Sequence, residues 1–310
     1  MNEWVYREIR FKSINRCSVP FASLLYCFTL IKLFSIIVAI LKKVNGGIKM
    51  FDYHVHSNFS ADCETPMENT IKQAIANGYT DICFTEHIDY DYPDPTIEFE
   101  LDIKRYSEKV HEMNAIYGDV IHIHKGVEIG LQPHLLSRYE KLMQEEAFDF
   151  VLCSIHTVQK QGLHSRDLFK GRTVEEAFRL YYEELLYCVQ RFSNYDVLAH
   201  IDLVKRYTDK PSEDQCLDLI EEIFKIIIPQ GKGIEINTSS YRYGLQAGMP
   251  STDILELYKT CGGSTITLGS DSHVSETIGY KFDESKALLK NLGFDTIMTY
   301  ENRKPTAHRI

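Results

Sequence analysis

From residue 50 onward, short apolar runs alternate with longer amphipathic ones. The short runs, at 50–56, 80–86, 121–129, 149–155, 195–200, 232–237 and 264–270, have the length of strands. The segments between them, at 67–77, 98–117, 134–146, 173–193, 212–229, 251–261 and 282–292, carry helical patterning. Thr65-Pro66 reads as an N-cap followed by proline at the first helical position, and Gly78 closes that helix. Gly118, Gly262-Gly263 and Gly293 close others, and Ser212 and Ser251 are further N-cap candidates. Strands separated by helices predict an α/β fold with a parallel sheet. Seven such units without a break in composition predict one closed or nearly closed βα barrel, with an open doubly wound sheet as the alternative.

Residues 1–49 break this pattern. Phe21 to Leu41 is an apolar run with one charge, Lys32, and is long enough to span a bilayer. Arg7, Arg10, Lys12 and Arg16 precede it, Lys42 and Lys43 follow it, and these flanks do not settle an orientation. No small-x-small cleavage site is evident, which favours an anchor over a signal peptide. Asn45-Gly46-Gly47-Ile48-Lys49-Met50 back-translates to a purine-rich stretch containing GGAGG shortly before ATG, the form of a bacterial ribosome-binding site read in frame. The preferred reading is therefore a start at Met50 and a cytoplasmic domain over 50–300. The alternative is a single-pass protein anchored through residues 21–41.

Composition narrows the function classes. The chain has 310 residues, 44% hydrophobic and 25% charged, which is ordinary for a globular protein. A net charge of -10 gives no general basic footprint for nucleic acid. The 8 cysteines are scattered and include no CxxC pair, which points to free thiols instead of a disulfide framework or zinc ribbon.

The chemistry sits at the strand ends. In Phe51-Asp52-Tyr53-His54-Val55-His56-Ser57, residues two apart on a strand aim both imidazoles at one point. Asp62 follows in the next loop. The second strand ends in Glu86-His87, the third in Gly126-Val127-Glu128-Ile129-Gly130, and the fourth at His156. The fifth ends in His200-Ile201-Asp202, and the seventh in Ser270-Asp271-Ser272-His273. A parallel barrel carries its chemistry at the C-terminal ends of its strands, so this recurrence predicts a multinuclear metal site. His122 and His124 form a second HxH, but at the start of a strand; with His111, His134, His164 and His308 they read as bystanders.

This ordered set resembles the PHP (polymerase and histidinol phosphatase) family of metal-dependent phosphoesterases, over residues 50 to about 290. The resemblance implies a distorted (β/α)7 barrel with the active site at the C-terminal ends of the strands. It implies that His54, His56, Glu128 and Asp271 hold one metal. Glu128 would bridge to a second metal bound by His156 and His200, and Asp62, His87 and His273 would hold a third. Some members carry histidine where this chain has Asp62. Glu128, Asp271 and His273 would be the catalytic members of the set, and two or three Zn, Fe or Mn ions its cofactors. Closely spaced divalent ions activate water and bind phosphoryl oxygens, so no side-chain nucleophile is required; GxSxG and P-loop motifs are absent from the sequence.

A phosphate dianion calls for further positive charge. Arg206 follows the fifth strand and Arg242 the sixth, and both match arginines of the histidinol-phosphatase branch. A short single-domain chain resembles that branch, which implies hydrolysis of L-histidinol phosphate, a small-molecule phosphate ester, in histidine biosynthesis. In the loop 87–100, Asp89, Asp91 and Asp94 are candidates to meet its amine, and Tyr90 or Tyr92 to flank its ring, unless the loop is simply a solvated acidic one. Competing readings are a phosphoesterase acting on nucleotides or phosphotyrosine, and an amidohydrolase-type enzyme. Glu128 stands where the latter would place a bridging lysine.

Overall fold

Each predicted barrel strand is buried, as expected of parallel strands covered by helices on the outside. The computed structural model describes residues 49–208, 215–245 and 247–310. The barrel strands are β1 (Phe51–Val55), β2 (Asp81–Ile88), β3 (His122–Gly130), β4 (Phe150–Ser154), β5 (Val197–Leu198), β6 (Gly233–Asn237) and β7 (Ile266–Gly269). The helices are α1 (Met67–Ala76), α2 (Ile103–Tyr117), α3 (Leu136–Glu145), α4 (Val174–Val189), α5 (Leu217–Ile227), α6 (Thr252–Thr260) and α7 (Phe282–Asn291). The strands pair in sequence order, all parallel. This is the expected seven-unit barrel, not an open doubly wound sheet.

The seam between β1 and β7 is thin. It closes through one parallel bridge, Val55 to Ser272, with His56 N donating to Ser272 O at 2.9 Å and Asp271 N to His54 O at 2.8 Å. Ser270 N also donates to the buried Asp52 carboxylate at 3.0 Å. The loop that carries Asp271 is thereby fixed to the strand that carries the two histidines.

β1 contains a one-residue bulge opposite β2, between Asp52 and Val55. A bulge places two consecutive side chains on one face. Tyr53 and His54 accordingly both find interior partners. Tyr53 packs 5.5 Å from the Phe150 ring and donates to Tyr300 O, while His54 meets Glu128.

A C-terminal hairpin, β8 (Thr296–Glu301) with β9 (Lys304–Arg309), covers the end of the barrel opposite the strand-end histidines. Tyr300 stacks 4.8 Å from Phe150, and Arg303 Nε donates to Asp196 at 2.5 Å. Neither this hairpin nor the short one at 157–162 is apparent in the sequence pattern.

Several local expectations change. The helix expected over 98–117 begins at Ile103, capped by Asp102, which accepts from Arg105 N. Thr65 does not cap α1; Pro66 takes the cap position, and the Thr65 hydroxyl instead donates to His273 O at 2.8 Å. That hydrogen bond ties the loop after β1 to the loop after β7. Ser251 has extended cap geometry without a side-chain hydrogen bond. The expectations for Ser212, the apolar run 21–41 and the start at Met50 concern residues wholly or largely outside the described ones. Among the described residues no helix is long and apolar enough to cross a membrane.

Candidate metal centre

The geometry is organised around Glu128, a fully buried residue near the end of β3. Its Oε2 lies 3.0 Å from His54 Nε2, 3.6 Å from His56 Nε2 and 3.3 Å from His87 Nδ1. Its Oε1 lies 2.8 Å from His200 Nε2 and 3.4 Å from His156 Nε2. One carboxylate thus meets five imidazoles from β1 and the residue after it, from β2, and from the segments following β4 and β5. Asp271 adds Oδ1 at 3.5 Å from His56 Nε2 and 3.8 Å from His54 Nε2. Asp271 itself has φ +53, a left-handed conformation that aspartate tolerates better than most residues. On the outer side, Asp62 Oδ2 sits 3.3 Å from His273 Nε2 and 3.7 Å from His87 Nε2. All nine residues singled out as metal ligands in the sequence therefore meet in one region.

The donor set fits divalent ions. Ligating atoms of His54, His56 and Asp271 lie within 4.8 Å of one another, as do those of His54, Glu128 and His200, and of His56, His87 and His273. Two ligands of one tetrahedral ion at about 2.1 Å stand about 3.4 Å apart, close to the spacings seen here. His56 Nε2 is buried without a hydrogen-bond partner while facing both Glu128 and Asp271. Imidazole nitrogens mixed with carboxylate oxygens suit Zn, Fe or Mn.

The electrostatics follow from this crowding. Burial would push Glu128 upward, but the His54, His87 and His156 rings reverse this and hold its carboxyl well below the usual range. Asp271 is treated in the same way, burial being outweighed by His54, His273 and Arg206. His56 is driven well below the ordinary histidine value by burial and by the rings of His273, His87 and His54. Both carboxylates are therefore ionised, and His56 is neutral and able to ligate.

The two arginines come to the same place. Arg242 Nη1 donates to Ser270 O at 2.9 Å and Nη2 to Asp271 O at 2.8 Å. Arg206 donates through Nη2 to Ser239 Oγ and to Asp271 Oδ2, the latter at 3.4 Å, and its guanidinium lies 4.3 Å from the Tyr243 ring centre. Both line a cavity of about 400 Å³ that opens onto Glu128 and Asp271. Tyr92, Phe99, Tyr207 and Tyr243 form much of its wall.

The acidic loop after β2 divides between buried and surface contacts. Asp89 is buried at the cavity wall, where its Oδ1 accepts from His156 Nδ1 at 2.6 Å. Asp91 pairs with His134 at 3.1 Å, and Asp94 accepts from Thr96. Tyr90 stacks on Tyr139 beneath Arg138; of the two tyrosines, Tyr92 is the one that reaches the cavity. His124 lies near Asp81 at the far end of the barrel, consistent with a bystander role. His164 is exposed, though its ring approaches Tyr207 at the cavity wall.

Sequence reasoning missed Glu235 and Asn237, both buried on β6. Glu235 Oε1 lies 2.6 Å from His54 Nδ1, and Oε2 accepts from His200 N at 3.0 Å. Asn237 reaches Asp271 Oδ2 at 3.4 Å. A charge in the middle of an apolar strand of a parallel barrel has no solvated face to occupy, and that signal was available in Gly233-Ile234-Glu235-Ile236-Asn237.

The chain is similar to known proteins over most of the barrel. The family model described as PHP domain matches residues 52–239. The Histidinol-phosphatase of Lactococcus lactis subsp. lactis is 32% identical over 262 residues, covering 83% of this chain and 96% of that protein. The "Probable histidinol-phosphatase" of Clostridium acetobutylicum is 31% identical over 260 residues, covering 82% of this chain and 98% of that protein. Among solved structures, the histidinol phosphate phosphatase of Lactococcus lactis complexed with Zn, L-histidinol and phosphate superposes with a TM-score of 0.75 at 32% identity, covering 83% of this chain and 99% of that one.

Proposed function

The chain belongs to the PHP domain family, and from that premise we propose that it is a metal-dependent phosphomonoesterase that hydrolyses L-histidinol phosphate to L-histidinol and phosphate. The observation that carries the proposal is one fully buried carboxylate, Glu128, enclosed by five imidazoles beside a cavity lined by two anchored arginines. The relative solved with Zn, L-histidinol and phosphate supports the choice of substrate.

In this reading His54, His56, Glu128 and Asp271 hold one ion, and Glu128, His156 and His200 a second. Asp62, His87 and His273 hold a third, and Zn is the first candidate among Zn, Fe and Mn. Divalent ions bound there supply Lewis acidity and lower the pKa of water. The remaining work belongs to the side chains. Arg206 and Arg242 bind the phosphate oxygens, each already oriented by Asp271, so little ordering remains when substrate arrives. Glu128 and Asp271 stay ionised across the working pH range and keep their oxygens available as ligands. The aromatic wall of Tyr92, Phe99, Tyr207 and Tyr243 offers ring faces to the imidazole of the substrate.

The test is a comparison of kcat/KM for L-histidinol phosphate, nucleoside monophosphates, a phosphotyrosyl peptide and a simple aryl phosphate, with metal-loaded protein. L-histidinol phosphate should be preferred by at least 10-fold, roughly the discrimination that 1.4 kcal/mol gives. Equal rates on the aryl phosphate would remove the substrate assignment. His54→Ala and Asp271→Ala should each abolish turnover in folded protein; near-normal activity in either would remove the metal assignment.

A further inference from the structure

Two buried carboxylates repeat one arrangement on opposite sides of Glu128. His54 lies between Glu235 and Glu128, with Nδ1 2.6 Å from Glu235 Oε1 and Nε2 3.0 Å from Glu128 Oε2. His156 lies between Asp89 and Glu128, with Nδ1 2.6 Å from Asp89 Oδ1 and Nε2 3.4 Å from Glu128 Oε1. In both rings the nitrogen facing away from Glu128 meets a carboxylate. A carboxylate accepts and cannot donate, so Nδ1 carries a proton in each ring, and Nε2, the nitrogen on the Glu128 side, is the one that would ligate an ion.

The fold makes room for each carboxylate by a glycine on the neighbouring strand. A Cβ at Gly130 on β3 would stand 1.8 Å from Asp89 Oδ1. A Cβ at Gly269 on β7 would stand 1.9 Å from Glu235 Oε1 and 2.4 Å from His54 Cβ. Each carboxylate also has a second attachment. Asp89 Oδ2 lies 3.4 Å from His87 Nδ1, and Glu235 Oε2 accepts from His200 N and from Asn237 Nδ2 at 3.0 and 3.1 Å. Each acid therefore contacts two of the residues assigned as ligands.

We propose that Asp89 and Glu235 are positioning residues of the metal centre: each fixes the tautomer and ring orientation of one ligand histidine, His156 and His54 respectively, and braces a second ligand beside it. Neither acid is a catalytic residue, since each acts through the imidazole it holds. The inference rests on the metal-centre reading above. A carboxylate behind a ligand histidine raises ligand basicity, and its loss weakens metal affinity by about 10–100-fold.

The test uses the full chain with Asp89→Asn and Glu235→Gln, which keep volume and remove charge. Zn affinity is measured by competition with a chromophoric chelator, the visible spectrum is recorded after Co(II) loading, and folding is followed by circular dichroism. Each variant should fold, lose about 10–100-fold in Zn affinity, shift the Co(II) bands and lower kcat more than it raises KM. Asp89→Glu and Glu235→Asp move the charge by one methylene without removing it, and should restore only part of the affinity. They also serve where an amide variant does not fold. Wild-type Zn affinity and Co(II) spectra in folded variants would overturn the proposal while leaving the metal centre intact. A wild-type chain that binds neither ion would overturn both.

Discussion

Arg242 spends two of its donors on the carbonyls of Ser270 and Asp271, and so holds the backbone that presents the Asp271 carboxylate. Arg206 instead touches the carboxylate directly and stacks against Tyr243. This difference predicts different kinetic signatures. Arg242→Ala should mainly raise KM for L-histidinol phosphate, by about 10–150-fold if one charge-assisted hydrogen-bond set of 1.5–3 kcal/mol is lost. Arg206→Ala should raise KM similarly and also lower kcat, because Asp271 loses its neighbouring cation. Arg206→Lys should recover only part of the loss, since an ammonium cannot reproduce the planar fork. Steady-state kinetics on the three variants decide the matter; a KM within twofold of wild type for both alanine variants would show that these arginines do not bind phosphate.

At the scale of elements, the barrel was legible because its strands are short, buried and separated by amphipathic helices closed by glycine. The proposed ligand set could be drawn from the sequence because every one of its members lies at a strand end or in the loop beyond. The pairing of Asp89 with His156 was not legible because an acid in the acidic, aromatic stretch His87 to Glu100 looks solvated; its burial depends on Gly130, which lies on a different strand. The bulge in β1 was invisible because it exists only relative to β2. The C-terminal hairpin was missed because β9, Lys304–Arg309, is mostly exposed and carries no apolar alternation. Its contribution is testable. Arg303 Nε donates to the buried Asp196, whose carboxylate also accepts from Val151 N at 2.9 Å. Arg303→Ala leaves that carboxylate short of a partner, at a cost of about 1–3 kcal/mol. The melting temperature should fall by roughly 2–12 °C, at 2–4 °C per kcal/mol for a domain of this size. Activity at 25 °C should not change, because the pair lies at the end of the barrel away from Glu128. An unchanged melting temperature would show that the hairpin does not stabilise the barrel through this pair.

At the scale of the whole molecule, the same residues that would perform the chemistry also set the stability. His54, His56 and Glu128 have no solvent exposure, and Asp271 and His200 have almost none. Folding brings six imidazoles and three carboxylates together, and an ion that binds only this folded arrangement stabilises it by mass action. At a free metal concentration of 1,000 times Kd the gain is about 4 kcal/mol per ion. At 2–4 °C per kcal/mol this corresponds to about 8–16 °C in melting temperature. Exhaustive chelation should therefore lower the transition by on the order of 10 °C for each ion removed, and re-addition of Zn should restore it. The Asp89→Asn and Glu235→Gln variants should show a smaller metal-dependent increment than wild type, since weaker binding contributes less at the same free Zn concentration. Scanning calorimetry on metal-free and Zn-loaded protein, with metal content measured on the same samples, makes the comparison. Coincident transitions in samples proven to differ in metal content would mean that the barrel does not depend on its ions for stability. The dense histidine cluster would then have to be stabilised by its carboxylates and protons alone.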